Sequence, residues 1–414
     1  MSSTIFSALF ILFLLGSSLT RIFLMKRHIR HVLCHRDTVP AAFAQTIPLT
    51  SHQRAADYTV TRTRTAIADV ILGTLVTLIL TLGGGLHALH SLWTATFPAG
   101  TLSHGIALLG SLMLVNWLIE LPFTLYRTFS VEKRFGFNRI TPGLFIRDTL
   151  KSGALAIIIG LPLLGLVLWL MNAMGTLWWL WVWAVWLGFN LLVMLIWPTW
   201  IAPLFNTFTP LEDTVLKARV ETLLKRCGFS AQGLFVMDGS RRSAHGNAYF
   251  TGFGRAKRIV FFDTLLEKLA PEEVEAVLAH ELGHFHHQHI RKRLLLIAPL
   301  SLALLALLGW LHGQTWFFTG LGMPESDMAT TLALFFLALP AFTFPLSPLM
   351  SLWSRKHEFE ADAYAAEKTQ RADLVSALVK LYRDNAATLT PDPLYSACFD
   401  SHPPAALRIA RLES

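Results

Sequence analysis

The chain has 414 residues, 53% of them hydrophobic and only 15% charged, with a mean hydropathy of +0.49 and a net charge of +8. Soluble domains carry about a quarter charged residues, so the composition excludes an ordinary soluble domain. The positive balance needs no nucleic acid to explain it, because its distribution along the chain follows the apolar runs.

Seven runs are long and apolar enough to cross a membrane: 4–24, 67–87, 104–126, 152–171, 176–197, 294–312 and 331–353. Nothing basic precedes the first, and no small-residue cleavage site follows it clearly, so it reads as a span rather than a signal peptide. All 35 Lys and Arg fall in 21–65, 127–151, 198–293 and 354–414. None falls in 88–126, 152–197 or 312–329. The positive-inside rule therefore predicts an outer N-terminus, a cytoplasmic C-terminus and an odd number of spans. The basic face could also attract anionic lipid. Cys34, Cys227 and Cys398 are scattered on the cytoplasmic side, and their spacing offers neither a disulfide framework nor a C-x-x-C metal site. Glu120, beside Pro122 near the end of the third span, is an intramembrane acid, for which a functional role and a helix-end role both stand.

Between the fifth and sixth spans lies the largest polar segment, 198–292. A helical stretch near 211–227 is followed by β-like runs at Leu234–Met237, Ala248–Phe250 and Arg258–Phe262. The last leads into a helix opened by Pro271, with Glu272, Glu273 and Glu275 at its positive N-terminal end. That helix carries His280, Glu281 and His284, an H-E-x-x-H pattern. Two imidazoles one turn apart can grip one zinc ion, and the glutamate between them is placed to take a proton from water. A third ligand is required. A metzincin would have Gly at 287 and His at 290, but the chain has His287 and Ile290.

The other common arrangement draws a glutamate from a second helix, with Asp four residues on. Glu358 and Asp362 fit, sharing a helix face, while Glu360 points elsewhere. Alone they would read as solvated charges. Beside the histidines, Glu358 reads as the third zinc ligand and Asp362 as the acceptor that fixes the tautomer of a ligand histidine. His287 shares a face with His284, but His286, His287 and His289 read as outer or solvent histidines, with His289 the one expected to have a defined role. Glu358 falls about 7 Å beyond the last span if the helix continues. The zinc should therefore sit at the cytoplasmic membrane face. The tail reads as helical to about Asp384 and ends in a short helix after Pro404.

From Val131 onward the chain resembles the Ste24-type CAAX prenyl proteases, integral-membrane zinc metallopeptidases of the M48 class. The likeness rests on Val131-Glu-Lys-Arg-Phe-Gly-Phe-Asn138, Ala202-Pro-Leu-Phe-Asn206 with Phe208-Thr-Pro-Leu211, and Ser243-Ala-His-Gly-Asn-Ala-Tyr-Phe250. Arg258–Leu266, the zinc motif and Ser354–Asp362 complete it. The resemblance implies an α-helical polytopic membrane protein whose seven transmembrane helices form a barrel around a chamber, with a gluzincin-like protease domain on the cytoplasmic side. It implies that Asn247, Ala248 and Tyr249 form an edge strand to which substrate adds. It also implies that His402 and Arg408 lie near the zinc, suited to the substrate carbonyl and its developing oxyanion.

The expected division is a membrane region over 1–200, a protease segment over 201–292, a transmembrane hairpin over 293–353 and a C-terminal catalytic segment over 354–414. The expected partners are a peptide or protein substrate, lipidated or membrane-bound, and membrane lipid. Only about eighteen residues separate spans six and seven and no C-terminal retrieval signal is present, which points to a bacterial inner-membrane homologue; a eukaryotic one would sit in the ER membrane. The rival functions are a quality-control metalloprotease of the same class and a non-enzymatic transporter or scaffold.

Overall fold

The computed structural model describes residues 1–251 and 258–413. Among the described residues, seven helices are long and apolar enough to span a membrane: Ser3–Cys34, Leu49–Leu80, Leu102–Glu132, Pro142–Ala173, Gly175–Phe205, His289–His312 and Met328–Lys368. All seven expected spans are present, and most helices outrun them. An apolar window senses only the bilayer's depth, whereas a 32-residue helix is about 48 Å long. The second helix is the exception at its far end. It stops at Leu80 rather than 87, where Gly84 takes φ 75° and the chain turns. Glu120 is paired: its carboxylate accepts from Arg127, which also binds Asp69 at 2.8 Å. That supports the helix-end role.

The helices contact one another in chain order, first to second through to sixth to seventh, and the seventh packs back on the first. That order closes a ring. Between 6 and 33% of the most apolar stretch of each span is buried in the protein, as for the staves of a hollow barrel. The staves converge at one end. There Phe10, Leu86, Leu108, Leu168, Met171, Leu308 and Phe317 join one apolar core.

The opposite end carries the protease segment. Among the described residues its sheet has four strands, in the order β1 (Phe208–Pro210), β2 (Gly233–Met237), β4 (Arg258–Phe262), β3 (Ala248–Thr251). β2 and β4 are parallel, and the outer pairs are antiparallel. The three expected β runs are all strands; β1, too short and too proline-bearing to read from sequence, is additional. Phe261, Ile259, Leu265 and Leu278 form a core between sheet and motif helix.

Arg242 ties this segment to the barrel. It donates to both oxygens of Asp148 at 2.8 and 3.0 Å, to Asn206 Oδ1 at 3.0 Å and to the Phe205 carbonyl at 2.7 Å. Asn138 bridges to Ser243, and Glu132 accepts from Tyr58 at 2.5 Å. The 131–138 motif thus holds the chain leading into β3. The three cysteines are free.

Candidate metal centre and active site

The motif helix is Pro271–His286. Pro271 supplies a preset φ at its first turn, and Glu273 Oε2 accepts from the Ala270 N–H at 2.7 Å, satisfying a free donor of the helix end. The helix crosses Ser347–Lys368, which continues the last span after a short turn. A Cβ on Gly283 would sit 2.8 Å from Ala361 Cα, so glycine is what lets the two backbones meet.

That close crossing brings His280, His284 and Glu358 together. The His280 and His284 Nε2 atoms are 3.2 Å apart, and each lies 3.5 Å from a different oxygen of Glu358. Tetrahedral zinc with nitrogen and oxygen ligands at about 2.0–2.1 Å implies edges of roughly 3.3 Å. Glu358 Oε2 is buried with no hydrogen-bond partner among the described residues. The site therefore fits a tetrahedral metal.

The far nitrogens of both histidines are occupied. His280 Nδ1 is 2.8 Å from Asp362 Oδ1, and His284 Nδ1 is 2.9 Å from His289 Nδ1. His289 Nε2 in turn faces Glu360 Oε2 at 2.9 Å. With His289 donating to Glu360, its Nδ1 accepts from His284, and Asp362 accepts from His280. Both ligand histidines then present a lone pair at Nε2. Glu360 does point away from the metal position, as its helix spacing predicts; its place in this relay was not legible. His286 and His287 lie against Tyr364, outside the cluster.

Burial opposes charge on His280, but the carboxylates beside it, Asp362 and then Glu358, outweigh it and raise the imidazole to about 9, a proton that a cation bound at Nε2 would displace. Burial lowers His284 to about 4, with His280 adding to the effect. Burial also raises the Glu281 carboxyl.

His402 lies at the open edge, 61% exposed, with Nε2 3.5 Å from Glu358 Oε1. Its loop is held by Ser351 Oγ, which donates to the Asp400 carbonyl at 2.6 Å, and by Arg355, which binds the same carbonyl at 3.2 Å. Arg408 is buried, donating to Asp362 Oδ2 at 2.8 Å and Oδ1 at 2.6 Å. Its Nη1 is 3.9 Å from Glu358 Oε2. Asn247 precedes β3, its carbonyl accepting from the Phe262 N–H at 3.0 Å. Ala248 and Tyr249 lie in β3, which pairs on one side with β4 and forms the sheet edge on the other among the described residues.

A seven-helix membrane barrel with this cluster at one end defines an integral-membrane metallopeptidase. Comparison with known proteins agrees. Residues 28–207 match the CAAX prenyl protease N-terminal region of five membrane helices, and 210–414 match peptidase family M48. The chain belongs to peptidase family M48. It is 38% identical over 319 residues to CAAX prenyl protease 1 homolog of Arabidopsis thaliana, covering 76% of this chain and 75% of the relative. It is 37% identical over 350 residues to CAAX prenyl protease 1 of Saccharomyces cerevisiae, covering 79 and 77%. The crystal structure of S. mikatae Ste24p superposes with a TM-score of 0.91, at 30% identity and 99% coverage of both chains.

Proposed function

We propose that this membrane metallopeptidase uses zinc, held by His280, His284 and Glu358, to cleave C-terminal CAAX-type peptides, with a prenyl tail directed toward the barrel interior. The observation that carries the reading is the meeting of His280, His284 and Glu358, with the two Nε2 atoms 3.2 Å apart and each 3.5 Å from a Glu358 oxygen, close to the ligand spacing of tetrahedral zinc. Bound zinc would supply Lewis acidity toward the scissile carbonyl. Glu281 takes a proton from the attacking water and delivers it to the leaving amine. His402, at the open mouth, donates to the carbonyl oxygen as charge develops there. Asp362 orients His280, and Arg408 positions Asp362.

Substrate adds to the free edge of β3 at Asn247, Ala248 and Tyr249, where backbone pairing tolerates varied side chains. The four-part division at 200, 292 and 353 remains our reading of the functional units, and the Lys- and Arg-bearing protease end faces the cytoplasm. The prenyl preference is supported by what the relatives are named for.

The test is cleavage of a farnesylated CAAX peptide and its unlipidated twin by purified protein. Glu281→Gln is expected to keep metal and fold while losing about 10²–10⁴-fold in turnover. Retained turnover in that variant removes Glu281 as the base. Equal cleavage of both peptides removes the prenyl preference and favours a quality-control substrate.

A further inference from the structure

A second cluster lies at the other end of the barrel, where the staves converge. His90 belongs to the short helix Gly85–Thr94, His104 to the start of the third span, and Asp327 caps the seventh. Their ligand atoms all lie within 4.8 Å of one another. We propose that His90, His104 and Asp327 bind a divalent cation of borderline softness, with zinc as the representative ion.

The geometry repeats that of the first cluster. Asp327 Oδ2 is 3.2 Å from His90 Nε2 and 3.6 Å from His104 Nδ1. Both are close to the roughly 3.3 Å edge of a tetrahedral site. The rings meet at 4.6 Å and 77°, against 4.9 Å and 83° for His280 and His284. His90 is 1% and His104 0% exposed. Asp327 divides its carboxylate: Oδ1 accepts from the Thr330 N–H at 2.7 Å, leaving Oδ2 for the histidines.

With both imidazoles neutral, hydrogen bonds alone leave the cluster in conflict. A neutral imidazole has one N–H. His90 faces Asp327 through Nε2 and Glu325 through Nδ1, the latter at 2.9 Å. His104 faces Asp327 through Nδ1 and the His90 carbonyl through Nε2, at 3.5 Å. In each ring one lone pair is left against an acceptor oxygen, and neither Nδ1 has an aligned hydrogen-bond partner among the described residues. No Lys or Arg lies between Arg64 and Arg127, or between Arg293 and Arg355, to balance Glu325 and Asp327.

A cation in the middle removes both conflicts. It takes the lone pairs of His90 Nε2 and His104 Nδ1. His90 Nδ1–H then points to Glu325, and His104 Nε2–H to the His90 carbonyl. Each ligand histidine gains an outer acceptor, as His280 does in Asp362. The ion would clamp three elements whose apolar ends form the converging core.

The test counts zinc per chain in the purified full-length protein after dialysis against a zinc buffer held by a competing chelator. Wild type is expected to hold two, Asp327→Asn one, His280→Ala one and the double variant none. Asn keeps the helix cap. His90→Gln, similar in size, is a second variant should Asp327→Asn fold poorly. Zinc should also raise the unfolding temperature of His280→Ala but not of the double variant. One zinc in wild type that is lost in His280→Ala and kept in Asp327→Asn, or two in Asp327→Asn, overturns the proposal. Zinc retained in His280→Ala at the wild-type count instead counts against the active-site reading, so the two failures are told apart.

Discussion

Arg408 is a charge held almost wholly out of water, 6% exposed, and its fork is spent on Asp362. Burial opposes its charge, and the Asp362 pair more than compensates. A guanidinium fixed on both oxygens of one carboxylate is poorly free to follow a substrate oxygen. Its effect should therefore pass through Asp362 to His280. Arg408→Lys removes the planar fork while keeping a charge, and Asp362→Asn breaks the same relay. Both are expected to lower zinc affinity about 10–100-fold with the fold retained, as read by chelator competition. Loss of kcat at unchanged zinc affinity would instead put Arg408 on the substrate. The relay on the other ligand, His284 to His289 to Glu360, crosses 76 positions of sequence and left no spacing signal. The H-E-x-x-H pattern and the Glu358–Asp362 face were legible because helix geometry relates residues three and four apart.

The motif helix is specified by contacts at its two ends. Near its C-terminal end, Gly283 lets the helix approach Ala361 backbone to backbone, closer than any Cβ permits. Gly283→Ala is expected to push the ligand helices apart, costing about 1–3 kcal/mol in unfolding and weakening zinc binding, despite alanine's better helix propensity. Unchanged denaturant midpoint and metal affinity would count against the crossing as the cause. At the N-terminal end, Glu273 accepts from Ser376 at 2.6 Å and Lys380 at 2.8 Å as well as from Ala270. Burial works against its ionised form, but these hydrogen bonds, Lys380's first, leave its carboxyl below the ordinary 4.5. A depressed acid stabilises the fold above its unfolded pKa, and that contribution is lost as pH falls through the folded value. The difference in unfolding free energy between wild type and Glu273→Gln should be full at neutral pH, roughly 1–3 kcal/mol, and vanish in acid. A difference that persists below the folded pKa would assign the effect to packing.

Across the whole molecule, periodicity and length reveal the spans, but not the order of staves or their convergence. Apolar runs carry no register, and a core such as Phe10 with Leu168 and Phe317 joins positions far apart in the chain. His90, His104 and Asp327 are hidden for the same reason. Charge is different, because it is summed over loops. Alternate ends of seven spans must lie on opposite faces, and all the basic loops share the protease end. By the positive-inside rule, that asymmetry is expected to put the protease end inside. With the three native cysteines replaced by serine, Ala99→Cys should react with an impermeant thiol reagent added to intact cells, or to the lumenal face of sealed vesicles. Ser230→Cys should react only once the membrane is opened. Both side chains are exposed, at opposite ends of the barrel. The reverse pattern would put the metal site outside, away from cytoplasmic C-termini, and the CAAX reading would fall while the metallopeptidase stood.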